Sequence, residues 1–194
     1  KLIDINTLGI YHVAISLAQI PELVVMQLSS KVIYPMLSHF AREDARTVKN
    51  NLLKLRSNIL PFALYMTASL MVLAELFFGV LYRDAYQLAG SIAPLLAGMF
   101  WVSIIQETVI RTSLAMGSFS VPAYTNMVAF VTRMTLAYIG FQYYGLHGFI
   151  IGLMIGSLCG YGVVLVWLSR KRISTLGQDL RYSGALLAIA LLYF

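Results

Sequence analysis

Four ionisable residues, Glu22, Lys31, Glu75 and Arg133, sit inside long apolar runs of this sequence. Each costs roughly 2.5–3.5 kcal/mol at the centre of a membrane-spanning helix, and such residues persist where they face a bundle interior or water. Arg133 is the most central. Asn126, Arg133 and Gly140 recur every seven residues and share one helical stripe, with Thr125 and Thr132 beside it. Polar groups above, a cation at the middle and a gap below describe a wall facing water. A guanidinium stays charged and grips phosphate or carboxylate through two parallel hydrogen bonds. Arg133 and Asn126 are therefore read as contacts for an anionic substrate.

Glu22 lies at similar depth in the first run, directly after Pro21. Two readings stand side by side. In one, Glu22 and Arg133 form a structural ion pair. In the other, Arg133 holds a substrate anion while Glu22 exchanges a proton or cation. Glu22 and Lys31 are nine residues apart, about 180° around a helix, and do not pair with each other. Glu75, toward an outer helix end, reads as a snorkelling side chain, and Glu107 with Arg111 as an i,i+4 pair, all three without function.

These residues need helices that cross a bilayer. Hydrophobic residues make up 59% and charged residues 11% of the chain, against roughly 45–50% and 25% in soluble domains; mean hydropathy is +0.78. The expected fold is an all-α, polytopic membrane helix bundle with five complete spans and the start of a sixth: about 8–35, 58–81, 87–110, 121–144, 148–168 and a last one from 183, near 20 residues or longer as a roughly 30 Å hydrocarbon core requires. The start without Met and the end inside "SGALLAIALLYF" read as a piece of a longer chain.

Cations gather in alternate loops: Arg42, Arg46, Lys49, Lys54 and Arg56 in 36–57, Arg111 in 111–120, and Arg170, Lys171, Arg172 and Arg181 in 169–182. Lys and Arg stay on the cytoplasmic side, so these three loops are assigned there. The net charge of +6 is explained by topology, and no nucleic-acid partner is expected. Phe77, Phe78, Tyr82, Tyr86, Tyr143 and Tyr144 are read as aromatics flanking the outer ends. Residues 44–57 read as a surface helix capped by Asp44, with Val48, Leu52 and Leu55 on its buried face.

Packing signals are clear. Gly148, Gly152, Gly156 and Gly160 form a groove without side chains, along which another helix can approach closely. Gly90, Pro94 and Gly98 repeat that spacing. Pro21 and Pro94 are interior and are read as hinges, whereas Pro61 and Pro122 are placed in first turns, where the missing N–H costs little. Cys159 is the single cysteine, so no disulfide framework exists. No P-loop, metal-ligand spacing or catalytic motif is present, and neither catalytic residue, metal nor cofactor is expected.

The order of features resembles a known family. "LGIYHVAISLAQIPELVVMQLSSKVIYPMLSHFAREDARTVKNNLLKL" is similar to the pattern of bacterial polysaccharide and oligosaccharide-lipid flippases: a Leu-Gly-x-Tyr entry (Leu8, Gly9, Tyr11), a mid-helix proline (Pro21), a Pro-x-Leu-Ser exit (Pro35, Leu37, Ser38), then a charged cytoplasmic helix. "GVLYRDAYQLAG" resembles the family's outer loop, although "LYRDAY" departs from its commoner glycine-containing form, and "YYGLHGFIIG" resembles its Tyr-Gly-x-x-Gly return. The resemblance is to the Wzx-type branch of the multidrug/oligosaccharidyl-lipid/polysaccharide exporter superfamily. It implies two lobes around a central cavity, alternating access, a bacterial cytoplasmic membrane, and lipid-pyrophosphate-linked sugar as substrate. The partners implied are membrane lipids and the missing lobe of the same chain. The alternatives are a cation-coupled multidrug exporter, a membrane polysaccharide polymerase or ligase, and a purely structural subunit.

Overall fold

The computed structural model describes residues 5–40, 43–82 and 87–193. The outer-loop segment 83–86, which carries Arg83 and Tyr86, and also Arg42 lie outside the described residues, as does the side chain of Tyr82. Helices account for nearly everything described: α1 (Ile5–Ala18), α2 (Ile20–Leu28), a π-helical turn (Ser29–Ile33), α3 (Tyr34–Phe40), α4 (Ala45–Tyr82), α5 (Gln87–Ala115), α6 (Ser120–Arg170) and α7 (Leu176–Tyr193). Four helical stretches are long and apolar enough to cross a membrane: Thr7–Phe40, Ala45–Val80, Leu88–Ala115 and Ser120–Arg170. This is the pattern of a multi-pass membrane protein.

The boundaries differ from expectation for identifiable reasons. The 44–57 segment is not a separate surface helix. Asp44 caps it through a 3.1 Å hydrogen bond from the Thr47 N–H; the Thr47 side chain and this N–H together hold the Asp44 carboxyl below its usual value, and the helix then continues without a break into the second span. Pro61 is consequently interior to α4 rather than in a first turn. Val48 and Leu52 are buried on its core face, as their spacing predicts. Phe78 is also buried rather than at an interface, whereas Tyr143 and Tyr144 are exposed. The last helix starts at Leu176, not near 183.

The first span is interrupted at a single residue, with helical hydrogen bonds on both sides of it (Gln19 N–H to Ile15 O, 2.9 Å; Leu23 N–H to Gln19 O, 3.1 Å). α1 ends at Ala18, Gln19 occupies a turn, and Pro21 falls in the first turn of α2, where its missing N–H is tolerated. The π-helical turn follows one span-half later. α5, by contrast, runs unbroken through Pro94. It is the central helix, packed against α1, α2, α4 and α6. Its buried face joins two apolar clusters, one around Val25, Leu52, Leu60, Ile104 and Leu168, the other around Ala18, Phe78, Ile92, Leu96 and Ile150.

α6 holds the fourth and fifth expected spans as one hairpin. At Gly145 the backbone adopts φ 60°, ψ −139°, a conformation that glycine alone reaches cheaply. The chain then returns antiparallel to itself. Gly148 lies on Gly140, Gly152 on Leu136, Gly156 on Arg133 and Gly160 on Ala129. A Cβ on Gly156 would lie 2.6 Å from the Arg133 backbone nitrogen. The glycine groove thus receives the preceding arm. Gly140 belongs to this contact, so the expected gap in a water-facing wall at that position is instead a packing site.

Two helix ends close in the same way. Gly117 (φ 73°) and Arg172 (φ 56°) are left-handed, with Ser118 N–H donating to Ser113 O at 2.8 Å and Ile173 N–H to Leu168 O at 3.0 Å. This is the glycine-type C-terminal cap. Replacing Gly156 with Ala forces side-chain volume into backbone and should destabilise by about 1–3 kcal/mol. Gly162→Ala on the same helix meets nothing within 4 Å and should be neutral or slightly stabilising. Thermal unfolding midpoints of the two variants in detergent check this; equal midpoints would contradict the hairpin contact.

Candidate functional site

α2, α5 and the first arm of α6 enclose a cavity of about 350 Å3. Glu22 reaches it from α2. Ser103, Gln106, Glu107 and Arg111 come from α5, and Pro122, Asn126 and Arg133 from α6. The α5 residues are spaced i, i+3, i+4 and i+8, a single helical stripe, continued by Ile110 and Leu114. The cavity follows α6 from Arg133 back to Pro122, about 16 Å at 1.5 Å per residue.

The hairpin aims Arg133. Its backbone rests on Gly156, and its Nε donates to Ser157 Oγ at 3.0 Å. Ser157 in turn donates to Leu153 O at 2.8 Å. Thr132 ties the arms together by donating to Gly156 O at 3.1 Å. Thr125 lies at the contact between the arms near Gly160, fully buried, rather than on an open wall. Asn126 is exposed, two turns from Arg133.

Arg133 and Glu22 therefore share one cavity without forming an ion pair. Among the described residues the ion pairs are Glu107–Arg111 and Arg56–Asp179. Glu22 instead lies near Ser103 and Gln19 and within the field of Arg133. Lys31 is exposed on the π-helical turn. The Glu107–Arg111 pair, 2.5 Å apart, has the expected i,i+4 geometry but also faces the cavity. The four charges of the cavity thus balance, two against two. Gln106 is 8% exposed and its Oε1 has no partner. A buried acceptor without a donor is costly, so this atom calls for a water or ligand hydroxyl.

Ser103 and Gln106 escape a search for charges in apolar runs; the polar stripe of α5 is the signal that finds them. Glu75 lies elsewhere, on a cavity of about 360 Å3 with Phe78, Gly79 and Gly90. Among the described residues no cation lines it.

A second polar cluster had no local signal. Arg56, grouped by its position with loop cations, is fully buried and paired with Asp179. Tyr161 donates to Asp179 Oδ2 at 2.5 Å and Thr175 to the same oxygen at 2.8 Å. Gln178 adds a 2.9 Å bond to Leu53 O. This contact fastens α7 to α4 and the returning arm of α6.

Residues 1–91 match the family model described as polysaccharide biosynthesis protein. The match runs from α1 into the start of α5. It includes Glu22 and Pro21 and stops before Asn126 and Arg133. No curated protein and no solved structure matches the chain. The match supports a role in polysaccharide biosynthesis for a multi-pass membrane protein, in line with the resemblance of the 8–55 stretch.

Removing one partner of a buried ion pair leaves the other charge uncompensated, at about 3–5 kcal/mol. Arg56→Met and Asp179→Asn should each lower the unfolding midpoint strongly, and the double variant should lose much less than their sum. Strict additivity in that thermal-shift cycle would contradict the pairing.

Proposed function

We propose that this chain is part of a transporter that moves a lipid-linked oligosaccharide, a polysaccharide precursor, across the bacterial cytoplasmic membrane by alternating access. The observation that carries the reading is the convergence of Arg133, Asn126 and Glu22, from separate helices, on one polar cavity at bilayer depth. The polysaccharide biosynthesis match over residues 1–91 supports the substrate class.

The cavity's chemistry suits such cargo. Arg133 has hydrogen-bonding capacity beyond Ser157 and would grip a pyrophosphate oxygen pair in its fork. Asn126, Gln106 and Ser103 offer the mixed donors and acceptors that sugar hydroxyls need. Glu22, which forms no ion pair among the described residues, would exchange the coupling proton or cation. With the cationic loops assigned to the cytoplasm, the cavity would run from mid-membrane toward the cytoplasmic end. The missing lobe of the same chain would supply the opposite wall, and Pro21 and Pro94 would serve as hinges. A multidrug exporter of cationic compounds would call for an excess of carboxylates, and the balanced charge of the cavity disfavours it.

Arg133→Ala in the complete protein should lower export of the lipid-linked sugar at least tenfold, with Arg133→Lys intermediate because it keeps charge but not the fork. Export is read against membrane abundance. Unchanged export at normal abundance in both variants would remove Arg133 from the mechanism.

A further inference from the structure

A second recess lies outside the polar cavity, between α5, the returning arm of α6 and α7. It holds about 220 Å3 and is walled by Trp101, Val102, Ile105, Leu158, Leu176 and Leu180. Leu158, Leu176 and Leu180 are exposed, so the recess opens sideways toward the bilayer. The polar groups at its wall are already bonded. The Trp101 Nε1–H donates to Ser183 Oγ at 3.0 Å. Tyr161 and Asp179 are consumed by each other and by Arg56. What enters this recess finds hydrocarbon walls, so its occupant is an alkyl chain rather than a polar solute.

Through Leu176 the recess neighbours the turn between α6 and α7. Leu176 also lines the small crevice at the α6–α7 turn, together with Leu168 and Ile173. That turn presents Arg170, Lys171 and Arg172, all exposed, and none is in an ion pair among the described residues. Asp179, the one carboxylate of the 169–182 segment, is taken by Arg56. Arg172 holds a left-handed backbone that glycine would adopt at lower cost, so its side chain is not there for the turn's sake.

We propose that this recess and turn form a binding site for an anionic phospholipid, with one acyl chain in the recess and the phosphate at Lys171 and Arg172. An apolar slot adjoining a turn whose cations form no ion pair among the described residues matches an amphiphile with a negative head group. The site needs only that the chain spans the membrane. It is separate from the polar cavity, and the bound lipid is resident rather than cargo. Basic residues beside a membrane favour anionic head groups by on the order of fivefold each.

Trp101 offers a direct probe. The chain has two tryptophans, and Trp167→Phe leaves Trp101 as the sole fluorophore. The full chain with this change is reconstituted in vesicles of phosphatidylcholine containing increasing phosphatidylglycerol, with bromine on the chains of one lipid at a time. Brominated phosphatidylglycerol should quench Trp101 at mole fractions about tenfold lower than brominated phosphatidylcholine does. Lys171→Gln with Arg172→Asn, the latter a residue that tolerates the left-handed conformation, should abolish that preference while leaving the melting temperature unchanged. Leu158→Phe, which fills the slot, should reduce quenching by both lipids. Equal quenching by the two lipids, or a preference that survives loss of the two cations, would overturn the site. So would an absence of quenching by either lipid, which would mean that protein rather than lipid covers the recess.

Discussion

A charged side chain taken out of bulk water needs either a partner or water kept beside it, and this fold meets that constraint in opposite ways for two of its arginines. Arg56 is fully buried against Asp179, whose second carboxylate oxygen accepts from Tyr161 and Thr175, and the pair acts as a fastening between α4 and α7. Arg133 has one neutral hydrogen-bond partner, Ser157, and otherwise faces a cavity. Nothing in the Arg133 surroundings neutralises it directly. The difference separates a structural charge from one available to a ligand, and the functional reading follows from it.

Placing Arg133 this way depends on backbone proximity in α6. The glycines at 148, 152, 156 and 160 let the two arms pack without intervening side chains. This turns the Arg133 side chain along the hairpin surface toward α5 instead of outward, where Val131 and Tyr138 are exposed. α5 then contributes a matching polar stripe, and the interruption at Gln19, just before Pro21, brings Glu22 to the third side. A packing motif with no chemistry of its own therefore sets the geometry of the polar site. The same hairpin presents Leu158 and Tyr161 on its other side, to the recess beside α7.

Much of this could be read from residue order, because membrane helices obey simple local rules. Apolar length located the spans, the glycine spacing marked the hairpin seam, and the seven-residue recurrence of Asn126 and Arg133 marked a polar face. What escaped was non-local or cooperative. Arg56 and Asp179 are 123 residues apart, and nothing near Arg56 distinguishes it from its solvated neighbours. The fusion of 44–57 with the second span depends on helical register carrying through Pro61, which local propensity argues against. Gly140 shares the spacing of Asn126 and Arg133, yet contact with Gly148 rather than water explains its lack of a side chain. Periodicity assigns a face to a helix; it does not say whether water or another helix lies on that face.

The central claim is that hydrated space adjoins the Arg133 guanidinium. Cysteine accessibility measures this directly, with Cys159 first replaced by Ala and with Arg133 left in place. Single cysteines at Ser103, Asn126 and Val131 in the complete protein would be treated in membranes with a charged, membrane-impermeant thiol reagent. The account predicts rapid labelling at 103 and 126, which line the cavity, and little at 131, which lies on the far side of the helix from Asn126 and Arg133. Unlabelled cysteines at 103 and 126, or labelling at 131 as fast as at 126, would contradict it.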